Sequence, residues 1–179
     1  TDEPVVQKIE KDKTEGLLFV SVGDSGTILT SSDGNSWNER TSSGTSEYLV
    51  GVTYGNGIFV TVGENGTILT SSDGTTWTER TPWNANSLVG ITYGNGLFVV
   101  VGEDIYANKT IFTSSDGNLW TRTKTSSGTS KNLTGVTYGN GLFVKVGNSG
   151  TILTSSDGNT WTKRTSGTSE NLEGITYSQ

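Results

Sequence analysis

The stretch TILTSSDG at residues 67–74 decides the fold, because it occurs four times along the chain. The other copies start at Thr27, Thr110 and Thr151, and only the third departs from the pattern, with Phe112 in place of a leucine. A tryptophan follows each copy, and successive tryptophans are 40, 43 and 41 residues apart: Trp37, Trp77, Trp120 and Trp161. This spacing is typical of a four-stranded propeller blade, whose period is roughly 40–45 residues.

Each repeat contains four β-prone runs separated by tight-turn signals. In the second repeat the runs are residues 49–54, 58–62, 67–71 and 76–80. Asn-Gly and Asp-Gly pairs between such runs predict hairpins, because those turns need residues with positive φ. The second run of the third repeat is apolar at four successive positions, as expected for a strand between two neighbouring blades.

The two ends of the chain carry complementary parts of one repeat. The first repeat begins at its second strand, residues 17–20, and the chain stops after a first strand, residues 172–177. We therefore expect an all-β fold, a small β-propeller of four four-stranded blades in residues 16–179, with the C-terminal strand completing the first blade. Exchange of that strand between two chains is the alternative, so the expected state is a monomer or a strand-exchanged dimer. Residues 1–15 are interpreted as a charged N-terminal segment or linker.

Composition excludes several classes of function. The net charge is −6, from 12 basic and 18 acidic side chains, which argues against a nucleic-acid partner. Because the 179 residues include no histidine and no cysteine, a Ser-His-Asp triad, a thiolate site and a His-ligated zinc site are excluded. No apolar run is long enough for membrane insertion. We expect neither a cofactor nor a bound metal.

The segment from Ser31 to Trp37, SSDGNSW, resembles the Asp-box or BNR repeat of sialidase-like bacterial propellers. The family pattern is Ser/Thr-x-Asp-x-Gly-x-Thr-Trp, whereas here Gly follows Asp directly and Trp comes one residue early. The resemblance extends to all four repeats, at Asp33, Asp73, Asp116 and Asp157. It implies the propeller fold without one activity, since the motif occurs in enzymes, receptors and assembly factors. From the residues alone, we expect each Ser and Asp to hydrogen-bond to its own turn.

Two enzyme hypotheses fit the chain less well than binding does. The resemblance implies that a sialidase would need three convergent arginines, but the arginines all follow the repeated Trp, on the outermost strand: Arg40, Arg80, Arg122 and Arg164. A carboxylate glycosidase could use Asp24, Glu64 and Glu103, a ring of acids that Asn148 interrupts in the fourth repeat. We interpret these acids as polar first residues of hairpin turns. No catalytic residue is predicted, and the chain is not expected to be an enzyme.

Two departures from the repeat indicate a binding site. Trp83 is the one tryptophan outside the repeated position, in the loop that leads into the third blade. The turn after the second strand of the third repeat has four extra residues. Propeller geometry places both loops on one face of the disc, side by side. The predicted ligand-binding residues are Trp83, Asn84, Asn86, Asp104, Tyr106 and Asn108. The alternative is that Trp83 packs under the enlarged loop and has a structural role.

Aromatic rings surrounded by amides and a carboxylate are typical of sugar sites. We therefore expect a non-catalytic extracellular module, secreted or on a bacterial cell surface, that binds a polysaccharide or other glycan through this loop face. A protein-interaction or scaffolding propeller is the alternative, because exposed Trp and Tyr also serve protein partners.

Overall fold

The computed structural model describes residues 18–40, 44–82, 84–106, 108–124 and 129–178, so the charged segment 1–15 lies outside the described residues. The described residues form fifteen β-strands in four antiparallel sheets. Blades one and two comprise β1 (Phe19–Val22), β2 (Ile28–Ser31), β3 (Asn38–Arg40), β4 (Leu49–Gly55), β5 (Ile58–Gly63), β6 (Ile68–Ser71) and β7 (Thr78–Glu79). Blades three and four comprise β8 (Ala85–Gly94), β9 (Leu97–Asp104), β10 (Lys109–Ser114), β11 (Thr121–Lys124), β12 (Leu133–Gly139), β13 (Leu142–Gly147), β14 (Thr151–Ser155) and β15 (Thr162–Arg164).

Within each sheet the strands follow one another in sequence order, as the repeat predicts. The Asn-Gly pairs form the two-residue hairpins between first and second strands. Asn56 has φ 49° and Gly57 has φ 79°, a pair of positive values that a two-residue hairpin of this type requires. The all-β class and the four-blade propeller arrangement are confirmed.

The core lies between blades rather than within them. Val60 and Val62 project from one face of β5 and pack against Phe98 and Val100 of β9, in blade three. The opposite face of β5 contributes Phe59 to the cluster between blades one and two. A strand covered on both faces must be apolar on both, which explains the unbroken apolar run in the second strand of the third repeat.

The first strands of neighbouring blades approach very closely near the centre of the propeller. A Cβ atom added to Gly55 of β4 would lie 2.1 Å from Cγ of Tyr93 in β8. The same arrangement joins Gly94 to Tyr138, and then Gly139 to Tyr177, which belongs to the C-terminal segment. Each glycine leaves room for the tyrosine of the following repeat.

The C-terminal segment, residues 171–178, does not complete blade one. In the part of the chain that the structure describes, β1 pairs with β2 alone, blade one has three strands, and the C-terminal segment forms no strand. Its backbone is bonded to blade four instead, with Leu172 N–H donating to Gly147 O at 3.2 Å. No described strand pairs with the other edge of β1, and Phe19 of this strand is 55% exposed. The predicted pairing between this segment and blade one is therefore not formed, because its hydrogen bonds hold the segment on blade four.

Candidate functional site

The loop before β8 and the loop between β9 and β10 meet on one face, as the sequence predicts. Ile105 N–H donates to Asn84 O at 3.2 Å, and Ala85 lies opposite Asp104 in the β8–β9 ladder. We call residues 104–108 the insertion loop. Trp83 lies outside the described residues, so its prediction is not tested by the structure.

Asp104 holds the insertion loop together from inside. Its side chain is fully buried, and Oδ1 accepts hydrogen bonds from the backbone N–H groups of Tyr106 and Asn108, both at 2.9 Å. The Asn108 amide donates to both carboxylate oxygens, and Arg122 of β11 forms an ion pair with Oδ2. Burial by itself raises the pKa of Asp104, but the hydrogen bonds and the Arg122 charge outweigh it and keep the pKa below its ordinary value. Asp104 therefore shapes the loop rather than facing a ligand.

The exposed part of the insertion loop is aromatic and apolar. Tyr106 is 73% exposed and Ile105 is 49% exposed. Asn108 is also exposed, whereas Asn84 and Asn86 are half-buried. The structure thus brings Asn84 and the insertion loop together and leaves Tyr106 available to a partner. The contribution of Arg122 was missed at the sequence level, because an arginine follows the repeated tryptophan in every repeat and nothing in the sequence sets Arg122 apart.

The acids that the sequence places after the second strands, Asp24, Glu64 and Glu103, do not come together in one site. Asp24 and Glu64 each begin a single 3-10 turn and are exposed, while Glu103 forms an ion pair with Lys109. Within the described ranges, no group of three or more acidic, His or Cys side chains is arranged to hold a metal ion. The interpretation as turn residues is consistent with the positions of Asp24 and Glu64, whereas Glu103 lies in β9, opposite Lys109 of β10.

The Ser-x-Asp-Gly turns between third and fourth strands bind their own backbone. In blade two, Asp73 Oδ1 accepts the N–H groups of Thr75 at 2.7 Å and Thr76 at 2.8 Å. The Ser71 hydroxyl donates to the same oxygen at 3.0 Å. Hydrogen bonds from Thr76 and then Thr75 hold the pKa of Asp73 well below its ordinary value. The same bonding pattern recurs at Asp33, Asp116 and Asp157.

The repeated tryptophan completes the same turn and fills the space between blades. Trp77 Nε1 donates to Gly74 O at 3.1 Å, and its ring packs in the cluster between blades one and two. Trp161 does the same between blades three and four. The predicted structural role of these residues agrees with these contacts.

A shallow polar groove lies on the outer rim between blades two and three. Arg80 and Thr78 line one side, and the turn containing Asp116 and Asn118 lines the other. Asp116 Oδ1 already accepts N–H groups of its own turn, Asn118 at 2.8 Å among them. This groove is built entirely from residues that recur in the repeat, so it is weaker evidence for a dedicated site than the insertion loop.

Lys145 of β13 is an unexpected buried cation. Among the described residues its Nζ has no hydrogen-bond partner, and it lies 4.3 Å from the centroid of the Trp161 ring. Burial lowers the pKa of Lys145 to about 7. The equivalent residues of the other repeats are Ser21, Thr61 and Val100. The sequence could have indicated this burial, because the equivalent position in the third repeat is a valine.

A family model describes this architecture. The model of the DUF6242 beta propeller domain matches residues 15–110, which is more than half of the chain. The chain belongs to this family. No curated protein matches it in sequence. No helix in the described part of this DUF6242 beta propeller domain has the length and apolarity needed to cross a membrane.

Solved structures similar to this DUF6242 beta propeller domain have low sequence identity and show the fold alone. YCF48 bound to D1 peptide matches with a TM-score of 0.55 and 20% identity, over 65% of this chain and 40% of that one. Virginiamycin B lyase from Staphylococcus aureus matches with a TM-score of 0.65 and 18% identity, over 82% of this chain and 54% of that one. The computationally designed Ika8 protein matches with a TM-score of 0.68 and 15% identity, over 90% of this chain and 50% of that one. The chain thus spans about half the length of these proteins.

Proposed function

We propose that this chain is a non-catalytic binding module whose partner is a protein or peptide, held at the insertion loop. The observation that carries the proposal is the exposed Tyr106 and Ile105 pair on a loop that Asp104, Asn108 and Arg122 fix in place. A loop ordered before binding loses little conformational entropy when a partner docks. Tyrosine is also among the residues that contribute most to protein interfaces.

The chemistry of the loop favours a protein over a sugar. A sugar site needs several polar groups that converge on hydroxyls, but Asp104 and the Asn108 amide already bind each other. What the loop presents outward is an aliphatic and an aromatic side chain. The similarity in fold to YCF48, which was solved bound to D1 peptide, is in line with a peptide partner.

A glycan is the second candidate, and one observation favours it. The Tyr106 ring is open to solvent, and Asn84, directly before β8, and Asn86, within it, supply two amides nearby that could orient sugar hydroxyls. The resemblance to Asp-box repeats of extracellular bacterial propellers supports the same view, together with a secreted or cell-surface location. The lack of histidine and the self-bonded Asp turns support a role without catalysis.

The experiment that separates the candidates is parallel screening of one purified protein on a glycan array and on a peptide library. Retention of defined peptides, lost in Tyr106→Ala and kept in Leu119→Ala, would support the proposal. Leu119 is a matched control because it is exposed on a turn of the same blade, outside the insertion loop. Glycan retention with the same dependence on Tyr106 would instead establish the second candidate, and turnover of a chromogenic glycoside would contradict both.

A further inference from the structure

Blade one has an apolar face that nothing in the described chain covers. Phe19 is 55% exposed and Trp37 is 43% exposed, and both lie on the side facing away from blade two. Their counterparts in blade four, Phe143 and Trp161, are buried against blade three. The residues of this face are therefore those that the repeat uses to bind a preceding blade.

Blade four ends in the complementary face. Within the chain, Leu18, Ile58 and Leu97 each fit against the turn glycine of the following blade; an added Cβ on the glycine would lie within 3 Å of each side chain. Their equivalent in blade four is Leu142, which is 40% exposed. Gly34 of blade one, the glycine that such a leucine would contact, has only Phe19 of its own blade nearby, at 3.9 Å.

The C-terminal segment already occupies the place of a following first strand. Leu172 N–H bonds to Gly147 O at 3.2 Å, as Leu49 N–H of blade two bonds to Gly23 O of blade one at 3.0 Å. Gly150 N–H bonds to Glu170 O at 2.7 Å, which repeats the bond from Gly26 to Glu47 at 2.8 Å. Among the described residues, the C-terminal segment therefore follows blade four in the place of a first strand, and blade one has no first strand of its own.

We propose that a second copy of this chain joins these faces, so that blade four and the C-terminal segment of each copy dock on blade one of the other. The interface repeats the blade-to-blade contact that the chain makes three times internally. By analogy with the β4–β5 ladder, in which Tyr54 lies opposite Phe59 and Val52 opposite Thr61, Tyr177 would lie opposite Phe19 and Ile175 opposite Ser21.

Two copies are the number that closes a ring of ordinary size. A heterologous interface either closes or continues into a filament. The alignment of this chain covers 50% of the designed Ika8 protein and 54% of the lyase, so two copies would cover about the length of either protein. The inference is independent of the proposed function, because it concerns the blade edges and not the insertion loop.

The first test is the molar mass of the protein in solution, measured by light scattering across a range of concentrations. We expect twice the mass of one chain, falling to one chain in Phe19→Arg and in Leu142→Arg and unchanged in Leu119→Arg. Circular dichroism and thermal melting show whether each variant folds. A wild-type protein with the mass of one chain, or with a mass that grows without limit, would overturn the proposal.

Mixing the two defective variants keeps the test informative if either is weakened. Phe19→Arg retains an intact blade-four face and Leu142→Arg retains an intact blade-one face, so together they form one native interface. We expect the mixture to recover a two-chain species that neither variant gives alone. A ring closed within one chain could not be rescued by mixing, and such a result would contradict the proposal.

Crosslinking then checks the register. The chain has no cysteine, so Ser21→Cys in one preparation and Ile175→Cys in another introduce single thiols. Mild oxidation of the mixture should give a disulfide-linked pair of chains containing one of each variant. When both substitutions are in one chain, a fast-migrating single-chain product would show closure within the chain and would refute the two-copy ring.

Discussion

At the scale of single residues, Lys145 is the clearest conflict between sequence and environment. Its ammonium group is buried against the Trp161 ring, and it contacts no hydrogen-bond acceptor among the residues described. A buried amine without a hydrogen-bond acceptor destabilises the fold. We therefore expect an uncharged side chain at this position to make the native state more stable.

Replacing Lys145 with methionine should raise the free energy of unfolding by about 1–3 kcal/mol near neutral pH. Because the pKa falls from 10.5 to about 7 on folding, the unfolded chain binds more protons between those values, and wild-type stability should rise with pH across that window. The gap between wild type and Lys145→Met should narrow over the same range. Denaturant titrations at several pH values measure this, with the exposed Lys163→Met as control. A gap that is constant with pH would contradict the assignment.

The exposed ring of Tyr106 is the residue on which the proposed function depends. Removing it with Tyr106→Ala should weaken partner binding by roughly 5- to 150-fold, equivalent to about 1–3 kcal/mol, while the melting temperature changes little. Isothermal titration with a peptide recovered from the screen gives the affinity. Unchanged affinity would remove the insertion loop from the binding surface.

At the scale of elements, each Ser-x-Asp-Gly turn depends on an ionised carboxylate. Asp73→Ala should lower the melting temperature by roughly 2–4 °C, the shift expected for loss of about 1 kcal/mol in a domain of this size, and should leave partner binding intact. Thermal melts beside the exposed Glu79→Ala control measure the first effect. Loss of binding without loss of stability would show that the turns are functional.

The same turns predict how the protein responds to acid. Hydrogen bonds from Thr160 and then Asn159 lower the pKa of Asp157 from 3.8 to about 2. A carboxyl whose pKa falls on folding stabilises the native state above the unfolded value, and this contribution is lost as the pH falls through the folded value. Stability should therefore decline between about pH 4 and pH 2. Guanidinium titrations at successive pH values measure the decline, and a flat profile in that range would contradict it.

The elements show what sequence could and could not predict. The strands and hairpins followed from the repeat, because positive φ at Asn56 and Gly57 is a local requirement of the turn. The meeting of Asn84 with the insertion loop followed from propeller geometry. The burial of Asp104 did not, since it depends on Arg122 of β11, with β10 between the two strands, and pairing across strands is not encoded locally.

At the scale of the whole molecule, the periodicity predicts which kinds of strand exist but not which copy each one joins. A first strand at residues 172–177 could follow the fourth strand of any blade. It could also pair with any blade that has no first strand of its own. The structure holds it on blade four, where the Tyr177 ring packs over Gly139. The choice between neighbours is made by contacts that are nearly the same in every repeat, so the sequence alone leaves it open.

Deleting residues 171–179 should destabilise blade four more than the rest of the molecule. The deletion removes the hydrogen bond from Leu172 N–H to Gly147 O and the bond from Ser149 N–H to Asn171 Oδ1, and it uncovers the face around Gly135 and Gly139. We expect a lower melting temperature and aggregation through the exposed edge. Light scattering during a thermal ramp measures both, with deletion of residues 178–179 as control, and an unchanged profile would refute the role of this segment.

Because the core lies between blades, each blade is stabilised through its immediate neighbours, as in a one-dimensional array. Blades two and three have a neighbour on both sides, whereas the described residues of a single chain give blade one a neighbour on one side alone. Amide hydrogen exchange in an isolated chain should then be slowest in β5 and β9 and fastest in β1. In a closed ring every blade is an interior blade, so that gradient should vanish and the amide protons of Phe19–Val22 should become as protected as those at the centre.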